Sequence, residues 1–182
     1  WDFHLNPQAR FSDGQPVTAA DVAATFARIP DVPNSPGRLS IYINQVRAVE
    51  AVGPHTVRLL THGPAPLLPE NIPPVMIVPE RIAREASTQD FNSGRAAIGS
   101  GPFRLAQYVQ GERAVFERNP TWRGTPSQFS RVTFRVIAND SARVAALRAN
   151  DVQLIEIVPP RDLAMLERDP NVAIWRSPGT RL

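Results

Sequence analysis

The spacing of apolar positions divides the chain into short elements separated by turn residues. Residues 1–5 alternate in strand fashion, and Phe11-Ser12-Asp13-Gly14 closes on an Asp-Gly turn signal. Val22, Phe26 and Ile29 recur at helical spacing, which predicts a helix from Thr18 that ends at Pro30 and Pro33 and turns this face to a core. Thr18 is placed to cap the amide three residues on, and Asp21 lies where a helix N-terminus favours negative charge. Residues 30–40, rich in Pro, Asn, Ser and Gly, read as an irregular surface loop. Residues 41–52 and 55–61 alternate on either side of Gly53-Pro54, which predicts an antiparallel hairpin.

Six prolines between 63 and 79 exclude a long helix and leave room for a short edge strand at 75–78. Residues 79–86 suit a short helix with proline in its first turn. Gly99-Ser100-Gly101-Pro102 forms a tight junction. Beyond it, 103–109 and 113–117 predict a second hairpin around Gln110-Gly111, and 131–137 a strand with Val132, Phe134 and Val136 on one face. Asp140 or Ser141 is placed to cap a helix running to Ala149. Residues 152–158 then read as a buried strand, 159–168 as a short helix opening on two prolines, and 172–175 as a last strand. This succession predicts an α/β layer with a partly parallel sheet.

Composition narrows the chemistry. At 182 residues and 42% apolar, the chain has material for a core, and no apolar run approaches the length of a membrane span. The absence of cysteine removes disulfides, thiolate metal sites and a cysteine nucleophile. All 20 basic residues are arginine, so Schiff-base and phosphate-loop lysines are excluded. Residues 1–96 hold 8 arginines and 9 acids, net −1, whereas 97–182 hold 12 and 8, net +4, giving the overall +3. With the glycine junction, this shift places an internal boundary near Ala96. The ends lack a polar lead-in or tail, so the chain is expected to be a piece of a longer protein.

No catalytic motif is complete. His4, His55 and His62 have no second ligand at metal spacing. Gly99-Ser100-Gly101 is not a nucleophile elbow, because Ile98 and Pro102 stand where glycines are needed. Nothing selects a carboxylate pair for acid–base work. The arginines of the second half alternate along strands beside Glu112 and Glu117, the pattern of a solvated sheet with cross-strand ion pairs and not of a nucleic-acid face. Trp122 either plugs a core or offers a stacking surface.

Four segments in order resemble one family. They are Phe3-His4-Leu5 with Phe11-Ser12-Asp13-Gly14-Gln15-Pro16-Val17-Thr18-Ala19-Ala20-Asp21-Val22, then Ile98-Gly99-Ser100-Gly101-Pro102-Phe103, then Glu117-Arg118-Asn119-Pro120 with Trp122 and Gly124, and finally 132–147 with Asp151. Together they are similar to the extracytoplasmic solute-binding proteins of peptide and nickel ABC importers, the oligopeptide- and dipeptide-binding class. Asn150 stands where that family commonly has glycine, and Gln153 where it has an acid. The resemblance implies an α/β fold that is part of lobe one of a two-lobed periplasmic-binding-protein type II architecture, a mixed sheet flanked by helices plus a smaller hairpin-containing subdomain. Residues 1–96 would be the extra subdomain of that lobe and 97–182 part of its α/β core. It further implies a periplasmic monomer without cofactor or catalytic activity, which captures a solute, foremost a peptide, between two lobes and delivers it to a membrane permease. The implied ligand-binding residues are Ser35, Arg38 and Tyr42 in one loop, and Val75 and Met76 in a second. Two alternatives remain open: a periplasmic sensor or chaperone-like relative of the same fold, and an unrelated carboxylate-based enzyme.

Overall fold

Residues 2–4 form the first strand, β1 (Asp2–His4), and the sheet it belongs to carries a core cluster drawn from residues between Ala19 and Val75. The computed structural model describes residues 1–32 and 39–176. β1 pairs antiparallel with β3 (Thr56–Thr61), which pairs antiparallel with β2 (Val46–Gly53), giving the order β1-β3-β2. In the central strand Val57 and Leu59 are buried and their neighbours are not, the alternation of a sheet covered on one face. The cover is α1 (Ala19–Arg28), whose Ala19, Val22 and Phe26 join Val57, Leu59, Ala65, Leu68 and Val75 in one core cluster. Gly14, at φ +91°, makes the predicted Asp-Gly turn.

The start of α1 differs in detail from the prediction. Asp21 accepts hydrogen bonds from the Thr18 N–H and the Thr18 hydroxyl, both at 2.7 Å, so the carboxylate reaching back is the well-formed half of the capping box. Its other oxygen accepts from the Glu80 N–H at 2.7 Å, tying α1 to the first turn of α4 (Glu80–Glu85). With three donors, Asp21 is buried at little cost. Thr25 exchanges hydrogen bonds with Val78 at 3.2 Å, and Arg28 donates to the Ala83 and Ala86 carbonyls while its guanidinium lies 4.5 Å from the Phe91 ring centre.

Several predicted elements are corrected. Residues 41–45 are not strand: α2 (Ser40–Ile43) is a single helical turn, which sets the adjacent Tyr42 and Ile43 both against the core, as strand alternation does not allow. Residues 75–78 form no edge strand: the Val75 N–H turns back to the Ile72 carbonyl, and the N–H and carbonyl of Val78 bond to the side chain of Thr25 instead of to a neighbouring strand. Two further helical turns arise, α3 (Leu68–Asn71) with Pro69 in its first turn and α5 (Thr88–Asn92), the latter opened by a Ser87/Asp90 capping box.

Beyond the glycine junction, β4 (Phe103–Val109) and β5 (Arg113–Arg118) form the predicted antiparallel hairpin, and β6 (Arg131–Arg135) extends it in the order β4-β5-β6. Arg104 and Arg131 flank Glu117 across this sheet at 3.4 and 3.7 Å, the expected cross-strand ion pairs. The chain separates into two compact units, Trp1–Phe134 and Arg135–Leu182. In the second, α6 (Asp140–Arg148) is capped by Asn139, not by Asp140 or Ser141, its Oδ1 accepting from the Ala142 N–H at 2.9 Å. α7 (Pro160–Leu166) follows, and Arg161 donates to Ser141 at 3.1 Å. Residues 152–158 and 172–175 form no strand, so the β, α, β, α succession is not completed among the described residues.

Candidate functional site

The first three family motifs meet at one point, and what they build is a joint. Asn119 is buried, and its side-chain N–H donates to the Gly101 carbonyl at 2.8 Å while its backbone N–H donates to the Pro102 carbonyl at 2.8 Å. Its Oδ1 accepts from the Thr121 N–H at 3.1 Å and lies 2.8 Å from the Thr121 hydroxyl. That hydroxyl is also 2.9 Å from the Phe11 carbonyl, and its single proton serves one of the two acceptors at a time. The Ser12 N–H donates to the Gly99 carbonyl at 2.8 Å. Ser100 thus sits in a turn whose flanking carbonyls are engaged in structure, with no helix N-terminus behind it.

Trp122 neither plugs the core nor stands free. Its indole N–H donates to the Thr125 carbonyl at 3.1 Å, and its ring lies so close over Gly124 that a Cβ added there would collide with it. The glycine of the motif is the space the ring occupies.

Of the five residues expected to face a ligand, Ser35 and Arg38 lie outside the described residues. Tyr42 is half-buried on α2 against the core cluster. Val75 is a member of that cluster, 7% exposed, while Met76 beside it is 75% exposed. The structure therefore brings Tyr42 and Val75 to one cluster, with Met76 at its margin.

An open depression of about 270 Å³ is lined by Arg81, Ile82, Glu85, Asp90, Arg95 and their neighbours, and Tyr42, Val75 and Met76 are not among the residues that line it. Its arginines are already engaged: Arg81 pairs with Asp13, and Arg95 with Asp90. Hydrogen bonds from the Ser87 hydroxyl and backbone N–H, and then the Arg95 guanidinium, hold the Asp90 carboxyl below its ordinary value. The capping box at α5 therefore contributes above the ordinary carboxylate pKa and is lost as pH falls through the lowered one. Ser87→Ala is expected to move the Asp90 pKa upward, read by a carboxyl-carbon NMR titration; an unchanged midpoint would show that the hydroxyl is not the cause. Among the described residues no three His, Asp or Glu side chains converge as metal ligands, and His4 instead contacts the Thr56 hydroxyl at 3.2 Å.

Residue-level reasoning missed the role of Thr121, because its bond to the Phe11 carbonyl spans 110 residues and leaves no local trace. Asn119 carried a signal only as part of a motif.

Comparison with known proteins bears on the whole chain. A sequence profile described as bacterial extracellular solute-binding proteins, family 5 Middle, matches residues 1–182. Protein XP55 of Streptomyces lividans is 30% identical over 177 residues, covering 96% of this chain and 32% of that protein. The probable D,D-dipeptide-binding periplasmic protein DdpA of Escherichia coli is 27% identical over 186 residues, covering 100% of this chain and 36% of its own. The solved structure of AgaA from Agrobacterium tumefaciens R10, in complex with agropinic acid, superposes with a TM-score of 0.79 at 28% identity, covering 93% of this chain and 34% of that one. The chain thus spans about a third of the length of the relatives it matches.

Proposed function

Because this chain belongs to the bacterial extracellular solute-binding proteins of family 5, we propose that the protein carrying it captures a peptide between two lobes outside the cytoplasmic membrane. It hands that peptide to the permease of an ABC importer and performs no chemistry on it. The profile match across residues 1–182 is the observation that carries the reading. The naming of DdpA for a D,D-dipeptide favours peptides. The agropinic acid held by AgaA supports an opine as the second candidate solute.

In this reading residues 1–96 are the extra subdomain of lobe one and 97–182 part of its α/β core, and the protein acts as a monomer. Ser35, Arg38 and Tyr42 line the cleft together with the segment around Val75 and Met76. The exposure of Met76 suits it to touch a ligand by its side chain, whereas Val75, with its side chain in the core, is suited to contribute only through its backbone. A protein that works by lobe closure needs rigid lobes, and the Asn119 joint supplies rigidity within this chain.

The test offers the longer polypeptide a mixed peptide pool and, separately, agropinic acid. Native mass spectrometry is expected to retain peptides. A ligand at a hundred times its dissociation constant adds about 2.7 kcal/mol to folding stability, so the melting temperature rises with peptide. A rise with agropinic acid alone would transfer the assignment to opines. No rise with either, or turnover of the added compound, would overturn the reading.

A further inference from the structure

Asp13-Gly14 is the one Asp-Gly or Asn-Gly pair in the chain, and such a pair is chemically labile. The glycine nitrogen, with no side chain beside it, bonds to Cγ of the aspartate. The carboxylate takes up that nitrogen's proton and one from solvent, and one of its oxygens leaves as water. Water then opens the succinimide at either carbonyl. Opening at the main-chain carbonyl leaves isoaspartate, whose backbone runs through the side chain and is one methylene longer. The turn nevertheless requires both residues. Gly14 stands at φ +91°, which strains any L side chain, and Asp13 Oδ1 accepts from the Gln15 N–H at 3.1 Å.

The groups that would react are engaged elsewhere. The Gly14 N–H donates to the Phe11 carbonyl at 2.9 Å. Asp13 Oδ2 accepts from the Arg81 guanidinium of α4 at 2.5 Å, a contact across 68 residues. The Asp13 side chain is only 25% exposed, so water competes weakly for its oxygens. Ring closure has to break the glycine's bond and turn the carboxylate away from both of its donors. We propose that Asp13-Gly14 is a latent isoaspartate site and that Arg81 guards it by holding the carboxylate off the Gly14 nitrogen. The guard protects more than the turn. Isoaspartate at 13 lengthens the main chain between Phe11 and Gln15, whose 2.8 Å hydrogen bond seats the fully buried Phe11 ring. The Phe11 carbonyl also lies 2.9 Å from the Thr121 hydroxyl, so the lesion reaches the Asn119 joint. The proposal is independent of which solute is bound, or whether any is.

Peptide mapping tests it by counting isoaspartate at residue 13 after the longer polypeptide has stood in warm neutral buffer. A synthetic peptide of residues 8–18 gives the rate without the fold. The folded protein is expected to react at least about a hundredfold more slowly than the peptide, since bonds at both reacting groups must be given up. Equal rates would overturn the proposal. Arg81→Gln is expected to raise the rate in the folded protein about tenfold, the worth of one charge-assisted bond, while the β3 amides exchange as slowly as in the parent. A rate left at the parent's value would overturn the guard. So would a rise accompanied by faster β3 exchange, which would assign it to opening of the sheet. Salt gives a second readout that needs no substitution and holds even where Arg81→Gln does not fold. Molar sodium chloride screens the half-exposed guanidinium, so the folded parent is expected to react severalfold faster while the peptide does not change. A parent rate indifferent to salt would count against Arg81 as the guard.

Discussion

Phe11→Ala is expected to cost about 4 kcal/mol of folding stability, within the range for truncating a fully buried aromatic. Phe11 has no exposed surface, so the substitution removes a whole ring from a closed site and leaves a cavity. Its backbone is held as firmly as its side chain: the N–H donates to the Gln15 carbonyl at 2.8 Å, and the carbonyl accepts from the Gly14 N–H at 2.9 Å and from the Thr121 hydroxyl. A cavity there loosens both the Asp-Gly turn and the joint to residue 121. For a chain of this size the melting temperature is expected to fall by about 10 °C. A fall of only a degree or two would mean that the site collapses around the missing ring.

The second large effect is expected at Asn119. Truncation to alanine strands the half-buried Gly101 carbonyl and Thr121 N–H, at a cost of about 2 kcal/mol. Urea unfolding should show a lower midpoint with an unchanged slope, the mark of lost stability without a change in the surface exposed. Asn119→Asp separates the two halves of the role, because it keeps an acceptor for Thr121 and loses the donor to Gly101. Thr121→Val removes the hydroxyl at nearly constant shape. Combined with Asn119→Ala it should cost less than the two single changes summed, since both act on one network. Strict additivity would show that the Phe11 and Gly101 contacts are separate.

What was legible in the sequence was what neighbours in the chain decide. The Asp-Gly turn at Gly14, the spacing of Val22 and Phe26, and the two hairpins, 46–61 and 103–118, are each set by residues close along the chain, and each is found. Residues 41–45 carried an alternating pattern too short to tell strand from helical turn, and packing of Tyr42 and Ile43 decided for the turn. Residues 152–158 show the opposite failure: a strand is a property of a pair, and one partner's sequence does not make a ladder. The candidate site residues were drawn from family likeness alone, and loop position carried no sign that the Val75 side chain lies in the core, since a residue in an irregular segment is buried whenever that segment lies over the core.

The sharing of Asp21 between α1 and α4 has a consequence for how the molecule meets ionic strength. Pairs such as Arg58 with Asp2 and Arg84 with Glu80 lie in solvent, where dissolved ions weaken them within a Debye length of about 8 Å at physiological salt. Asp21 instead faces backbone and hydroxyl donors inside the protein, out of reach of counterions. The surface of this chain softens in brine, while the seam between its first and fourth helices keeps its grip.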